Sequence, residues 1–304
     1  MKNKDVFVSV IIPTHNRADC VSFAIDSVLN QTHTNLECIV VSDGSTDNTD
    51  EIVRAYEIKD ERVKYISYHP AAGGNRARNT GIKVAQYEYI AFLDDDDRWH
   101  PDKLEKQLAV FSSDAEIGLV CTGIKNIYAE SNITSVYIPK VNLDSSKEIL
   151  IWNTVGSTTT VMTKKSVLEK SGIFDENLKA LQDYDLWVRI CQHERAAVVE
   201  EALVDYYHLK GNNQVSAHTE RYIDALEKIN EKYSNLIGAL SEEDKNMREY
   251  KFMMLLAKKG LRNAEPKIAR KYAKKAFKKC KKPDAVKCWI ASFLPYKLVL
   301  KLKK

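Results

Sequence analysis

Apolar runs and polar turns alternate along the first part of the chain at the spacing of a parallel α/β domain. Strand-like runs occur at Val6 to Ile12, Leu36 to Val41, Val63 to Ser67, Glu88 to Leu93 and Gly118 to Thr122, with helix-length amphipathic segments between most of them. That alternation predicts a mainly parallel sheet flanked by helices. The first helix carries Val21, Ala24, Ile25, Val28 and Leu29 on one stripe at i, i+3, i+4, i+7 and i+8. Asp47 caps a second helix, Asn75 to Val84 form a third entered from the turn Ala71-Ala72-Gly73-Gly74, and Pro101 opens a fourth.

Past residue 122 the simple alternation ends. Short β-like pieces at Ile124 to Tyr128, Ile133 to Ile138 and Ser157 to Met162 predict extra or antiparallel strands. Asp183 to Cys191 reads as a helix with Leu186, Trp187 and Ile190 on one face, and Ala196 to Tyr207 as a final strand pair. From Thr219 onward the pattern is helical. The expected division is an α/β domain over 1–217 and a helical, basic region over 218–304.

With 304 residues, 44% hydrophobic and 29% charged, the chain holds enough apolar surface for a sizeable core plus an appendage. Cys20, Cys38, Cys121, Cys191, Cys280 and Cys288 show no CxxC spacing, which fits free thiols in a reducing compartment better than a disulfide framework or a zinc site. No apolar h-region follows Met1, and no run reaches the roughly 18 apolar residues of a spanning helix. A cytoplasmic protein is expected.

The net charge of +4 conceals a basic tail, because residues 258–304 carry 17 Lys and Arg against only Glu265 and Asp284. In Lys271 to Lys279 and again in Trp289 to Lys304, lysine is interleaved with apolar and aromatic residues. That composition suits a helix lying on an anionic membrane surface; a solvated charged face is the plainer reading. Lysine dominates over arginine and no RNP-like motif occurs, which argues against nucleic acid.

The chemistry concentrates where strands end. The first strand runs into Pro13-Thr14-His15-Asn16-Arg17, the second into Ser42-Asp43-Gly44-Ser45-Thr46-Asp47, and the fourth into Asp94-Asp95-Asp96-Asp97. In a parallel sheet these edges converge on one crevice. Adjacent carboxylates repel unless a divalent cation or a cationic ligand sits among them, although an acidic loop in solvent is the bland alternative.

Those three blocks, together with Ala77-Arg78-Asn79-Thr80-Gly81-Ile82, resemble glycosyltransferase family 2 of the bacterial surface-polysaccharide type, in residues, order and spacing, over roughly residues 5 to 215. The resemblance implies a GT-A fold, a nucleotide-diphosphate-sugar donor with a UDP-sugar the commonest, and a divalent metal, Mn2+ or Mg2+. It further implies that Pro13 and His15 border the base, that Asp43 holds base or ribose, and that Arg78 lies near the nucleotide. Asp95 would face the ribose and Asp96 would ligate the metal with Asp94 in support. Many family members carry an aromatic where His15 stands. Gly172 to Glu176 followed by Gln182 to Arg189 resembles the segment that supplies the catalytic base of inverting members, a role that falls to Asp183; Gln182 replaces the usual glutamate beside it.

The expected function is therefore inverting, metal-dependent transfer of a hexosyl or N-acetylhexosaminyl group to a hydroxyl of a glycan or lipid-linked glycan, at the inner face of the cell membrane. A sugar nucleotidyltransferase is a rival, but it needs a Gly-rich phosphate loop after the first strand, and Pro13 to Arg17 has no glycine. A nucleotide-sugar-binding protein of the same fold without turnover is the rival from another class. Trp152 to Thr160 and Trp187 suit either an acceptor wall or the core. His208 reads either as a group near the metal or diphosphate or as a surface histidine, and Asn213 to Ser216 as a loop closing over the donor.

Overall fold

The computed structural model describes residues 6–128, 133–208, 218–294 and 298–299; the expected donor loop, Asn213 to Ser216, lies outside them, as does part of the terminal tail. The described residues divide between two compact units. The first takes in residues up to Ser146, Thr154–Glu176 and the segment from Gln182 to the end of the sheet; the second takes in Lys147–Asn153, Asn177–Leu181 and the described residues beyond 217.

The first unit is built on a nine-stranded sheet in the order β3-β2-β1-β4-β8-β6-β9-β5, with β7 hydrogen-bonded to β6. Its strands are β1 (Val8–Thr14), β2 (Leu36–Asp43), β3 (Val63–Tyr68), β4 (Tyr89–Phe92), β5 (Arg98–Trp99), β6 (Ile117–Tyr128), β7 (Ile133–Tyr137), β8 (Met162–Lys164) and β9 (Arg195–Tyr207). β3, β2, β1 and β4 are mutually parallel, whereas β8 runs antiparallel to both β4 and β6. Helices α1 (Val21–Leu29), α2 (Thr49–Lys59), α3 (Gly74–Val84) and α4 (Lys103–Ser113) follow the early strands, and α6 (Lys165–Ser171) and α7 (Gln182–Cys191) come after α5 (Glu148–Ile151) of the second unit. Every residue of β1 and β2 is buried, as expected of central strands covered on both faces. The stripe expected on α1 is the one it buries, with Val21, Ala24, Ile25 and Val28 inaccessible to solvent.

Three local expectations need correction. The break expected after Thr122 is a bulge inside one continuous strand: β6 runs through it, and its register with β9 slips on both sides of Gly123. A Cβ on Gly123 would come within 2.9 Å of the Glu201 carbonyl, so only glycine tolerates that approach. Opposite it, the register jumps from Val199 to Ala202, so the expected final strand pair is one strand in which exposed Glu200 and Glu201 bulge out. Ser157 to Met162 is not a strand either; Thr158–Thr160 form a 3-10 turn and pairing begins at Met162.

The second unit contains α5, α8 (Thr219–Lys232), α9 (Ser234–Gly238), α10 (Glu242–Arg262), α11 (Pro266–Lys279) and α12 (Pro283–Ala291). Ser241 caps α10 by accepting the Asp244 N–H at 3.1 Å, while α11 and α12 both start at proline, whose missing N–H is free of consequence there. Tyr250, Met254, Leu256, Ala257, Tyr272 and Ala273 form the centre of its core. Buried Arg248 donates to the Leu150 carbonyl and, at 2.8 Å, to Asn230 Oδ1, joining α5, α8 and α10. Among the described residues no helix is long and apolar enough to cross a membrane.

Helix α3 lies tight against β1 at Gly81, where a Cβ would stand 2.5 Å from Ile11 Cγ2. Alanine there gains up to about 1 kcal/mol of helix propensity but must displace a fully buried isoleucine, at about 1–3 kcal/mol. We expect Gly81→Ala to lower the urea midpoint of unfolding; a raised midpoint would show that α3 can lift off the sheet.

Candidate active site

The crevice opens beside β1. The chain passes from β1 to β2 and β3 on one side, then returns to β4 on the other, so the carboxyl ends of β1 and β4 part at a topological switch point. Pro13 widens the gap. The carbonyl of Ile11 accepts the Leu93 N–H at 3.0 Å, and two residues on, where an N–H would again face β4, proline has none. Pairing of β1 with β4 accordingly ends at Ile11 and Phe92, while pairing with β2 continues to Thr14 and Ser42.

The loops after β1 and β2 are stitched together. Asn16, at φ 52, donates its N–H to Ser45 Oγ (3.1 Å) and accepts the Thr46 N–H on Oδ1 (2.7 Å). The Arg17 N–H goes to Thr49 Oγ1 (2.8 Å) and the Ala18 N–H to Asp47 Oδ2 (3.2 Å). Asp47 also accepts the Thr49 N–H at 3.0 Å; the residue at the α2 cap position is Asn48, whose side chain makes no capping bond, so Asp47 acts one residue before the position expected of it. His15 is exposed, with Nδ1 2.6 Å from the Asp43 carbonyl. The buried Asp43 carboxylate accepts the N–H groups of Ala72 and Gly73, each at 2.7 Å, and so fixes the turn that enters α3.

From α3, Arg78 reaches Asp94 Oδ1 at 2.6 Å, and its guanidinium lies 5.6 Å from the centre of the Phe174 ring. Next to it, buried Asn79 clasps the Phe174 backbone from both sides, accepting its N–H (3.0 Å) and donating to its carbonyl (2.9 Å), with Glu176 Oε1 a further acceptor.

Asp94 to Asp97 form a turn closed by the Asp97 N–H on the Asp94 carbonyl at 3.1 Å, in which Asp94 and Asp96 are partly exposed and Asp95 and Asp97 buried. Burial, then the neighbouring Asp96, push the Asp95 carboxyl up to about 7 against the pull of Arg17. Burial, then Asp96 and Asp94, raise Asp97 well above the carboxylate range. Asp97 Oδ1 accepts the Tyr207 N–H (3.1 Å), while Oδ2 is buried with no hydrogen-bond partner. The Arg17 guanidinium faces the run, with Nε 3.4 Å from Asp95 Oδ1 and Nη2 4.0 Å from Asp96 Oδ2.

In α7, Asp185 is fully buried and pairs with Arg189 at 3.0 Å, and Arg189 donates to the carbonyls of Ser171 and Ile173. Trp187 is core, with no exposed surface and its Nε1–H on the Gly156 carbonyl. Asp183 lies one residue inside the helix, in the first turn, where the peptide dipoles favour a negative charge, and accepts the Tyr184 N–H at 2.7 Å. Burial nevertheless pushes its carboxyl up to about 6, opposed by the Tyr184 N–H and Arg78 and reinforced by Asp94.

The sequence profile described as "Glycosyl transferase family 2" matches residues 9–172, from β1 through α6. The chain belongs to this family. TuaG of Bacillus subtilis (strain 168), assigned to teichuronic acid biosynthesis, is 33% identical over 220 residues, covering 72% of this chain and 84% of TuaG. WfaP of Escherichia coli, a UDP-Glc:alpha-D-GlcNAc-diphosphoundecaprenol beta-1,3-glucosyltransferase, is 31% identical over 215 residues, 69% of this chain and 80% of WfaP. Among solved structures, S. aureus TarS 1-349 in complex with UDP-GlcNAc superposes with a TM-score of 0.60 at 20% identity, over 94% of this chain and 79% of that one. The fold of this glycosyltransferase is thus GT-A-like, as expected.

Among its described residues, no three His, Cys, Asp or Glu side chains gather into a metal cage. Magnesium-like ions need none, since they are usually held by one or two carboxylates plus substrate phosphates. Hard carboxylate oxygens in one turn, with the buried Asp97 Oδ2 unpartnered beside them, fit such a cation. From sequence the expected counter-ion was a divalent cation or a cationic ligand, and Arg17, a cation of the chain itself, was given no such role. Asn79 and Asp97 likewise received no role. His208 stacks on Tyr128 at 4.1 Å with Nε2 2.9 Å from Asn126 Oδ1, and Trp152 packs on Phe252 at 5.5 Å.

Asp43→Ala strips the acceptors from two backbone N–H groups. Because Ala72 and Gly73 are exposed and water can replace the lost acceptor, we expect a loss of about 0.5–1.5 kcal/mol for each bond, read by denaturant unfolding, together with weaker nucleotide binding as the α3 entry loosens. Unchanged stability would mean that the turn holds itself.

Proposed function

We propose that this glycosyltransferase moves a hexosyl or N-acetylhexosaminyl group from a nucleotide-diphosphate sugar, most simply a UDP-sugar, to a hydroxyl of a lipid-linked glycan, with inversion, in surface polysaccharide assembly. The carrying observation is Asp183: a carboxyl raised to about 6 that shares its electrostatic surroundings with the Arg78–Asp94 pair at the switch-point crevice. A base is most effective when its pKa lies near the working pH. The names of WfaP and TuaG, a glucosyltransferase acting on a diphosphoundecaprenol-linked sugar and a teichuronic acid enzyme, support the acceptor class.

On this reading the Asp183 carboxylate takes the proton of the acceptor hydroxyl as the oxygen attacks the anomeric carbon opposite the departing nucleotide. Arg78 adds positive charge beside the nucleotide, and His15, Pro13, Asp43 and Asp95 bound the base and ribose. Asp96, with Asp94, would hold a divalent cation, Mn2+ or Mg2+, which neutralises charge on the leaving diphosphate. The nucleotidyltransferase reading is disfavoured, because the N–H groups of Asn16, Arg17 and Ala18 are already given to Ser45, Thr49 and Asp47 and form no phosphate cradle.

Attachment to the inner face of the cell membrane belongs to the same proposal. On and just after α12, Val286, Trp289, Ile290, Phe293 and Leu294 form an exposed stripe at i, i+3, i+4, i+7 and i+8, while Ala285, Cys288 and Ser292 are buried. Exposed Lys274, Lys275, Lys278, Lys281, Lys282 and Lys287 accompany it, the pairing of apolar face and positive charge that suits anionic lipid.

Asp183→Asn is expected to lower turnover by about 10²- to 10⁴-fold while leaving donor binding intact. Because the base must be ionised, kcat/KM of the unaltered protein should climb as pH rises through about 6 and then level, and the variant should lack that limb. Metal-dependent hydrolysis across a panel of nucleotide sugars reads both; donor bound but turned over equally by the variant would point to another base. Separately, the double variant Trp289→Ser, Phe293→Ser should pellet less with phosphatidylglycerol vesicles and hydrolyse donor normally. Undiminished pelleting would sink the membrane assignment of this stripe.

A further inference from the structure

Adjacent carboxylates need positive charge whether or not a metal is bound, and the chain carries two cations there of very different character. Arg78 makes a direct hydrogen bond to Asp94 at 2.6 Å and is itself buried. Arg17 does not. Its contacts with Asp95 and Asp96, 3.4 and 4.0 Å, exceed the roughly 2.7–3.2 Å of a sound N–H···O bond. One guanidinium is thus spread across two carboxylates without being committed to either.

The backbone beneath it is committed. The Arg17 N–H is held by Thr49 Oγ1, and its carbonyl accepts the N–H groups of Cys20 (3.1 Å) and Val21 (3.0 Å) as α1 begins. Any exchange at this position therefore falls to the side chain alone. Of its two partners Asp95 is slightly the more buried, and Asp96 is the farther and partly exposed.

We infer that Arg17 is a resident cation that a divalent metal displaces from Asp96, so that this side chain holds the carboxylate turn together before metal arrives and sets how tightly metal binds. The inference rests on the reading that Asp96 is a metal ligand. A divalent ion concentrates twice the charge on carboxylate oxygen that the guanidinium spreads over a plane, so it wins Asp96 when present, and Arg17 can keep Asp95 through Nε. Because the two cations repel, each weakens the other's hold, and the coupling is reciprocal.

The test compares full-length protein with Arg17→Met, Arg17→Gln, Arg17→Lys and Asp96→Asn, without donor. Free Mn2+ is followed by its electron paramagnetic resonance signal, and the thermal midpoint is measured with and without Mn2+. Arg17→Met should bind Mn2+ about tenfold or more tighter, a normal size for such coupling, and should melt lower than the unaltered protein without metal but recover in its presence. Arg17→Lys, which keeps the charge but is a compact ion on a flexible stem, should keep Mn2+ affinity near that of the unaltered protein, and Arg17→Gln, which removes the charge but keeps a polar side chain, should tighten it and carries the comparison if the methionine variant does not fold. Equal or weaker Mn2+ binding by Arg17→Met, with binding still abolished in Asp96→Asn, overturns the inference and leaves the metal reading standing. Mn2+ binding indifferent to Asp96→Asn overturns both.

Discussion

The repulsion within Asp94 to Asp97 is the constraint from which the site follows. Two carboxylates about 5 Å apart repel by roughly 3 kcal/mol at an effective dielectric near 20, and four in a row multiply the problem. The fold answers it from two directions: Arg78 comes from α3 and Arg17 from the loop that enters α1. Each arginine needs its own anchorage, and that anchorage accounts for the polar residues around them. Asp43 orders the turn into α3, Thr49 fixes the backbone of Arg17, and Asn16 ties both loops to one another.

Residues in the recurring sequence blocks accordingly divide into those that hold the frame and those left over for chemistry. In the block around α3, Gly81 permits the close approach to Ile11 and Asn79 clasps Phe174, while Arg78 alone faces the carboxylates. In the block around α7, Asp185 and Arg189 secure the Ser171 to Ile173 backbone and Trp187 fills the core. What remains is Asp183, which accepts backbone N–H groups, that of Tyr184 among them, and has no ion pair at salt-bridge distance among the described residues. A carboxylate held only by backbone N–H groups, in a helix whose other charged side chains pair with each other, is the better candidate for a base.

The parallel half of the fold was legible because its strands are apolar on both faces and end in abrupt polar clusters, a signal that needs no tertiary knowledge. Beyond residue 122 the same method misread a bulge as a gap, since the two exposed glutamates Glu200 and Glu201 look like a turn unless one knows that Gly123 lies opposite. In the site, the four carboxylates stood out as charges in an unusual place, while Arg78 and Asp183 were reached through the family resemblance. Arg17 did not stand out, because an arginine at a loop is ordinary until its distance to Asp95 and Asp96 is known. Nor did Asn79, whose partners lie 95 residues away. Its burial against another segment's backbone leaves no periodic trace in sequence.

Charge balance also constrains how donor and metal enter. A nucleotide diphosphate is an anion, and on the proposed reading it approaches Asp43, Asp94, Asp95, Asp96 and Asp183, with Arg17 and Arg78 the cations that pair with the carboxylate turn among the described residues. Burial pushes Asp95 and Asp183 up to about 7 and about 6, so part of that negative charge is suppressed near neutral pH, but Asp94 and Asp96 lie on the partly exposed side. A diphosphate carrying a divalent cation is close to neutral and meets this surface without the penalty that the bare anion would face. On the proposed reading the metal is therefore as much a condition for donor binding as an aid to the leaving group, because the carboxylates that repel the bare nucleotide are the ones that bind its cation.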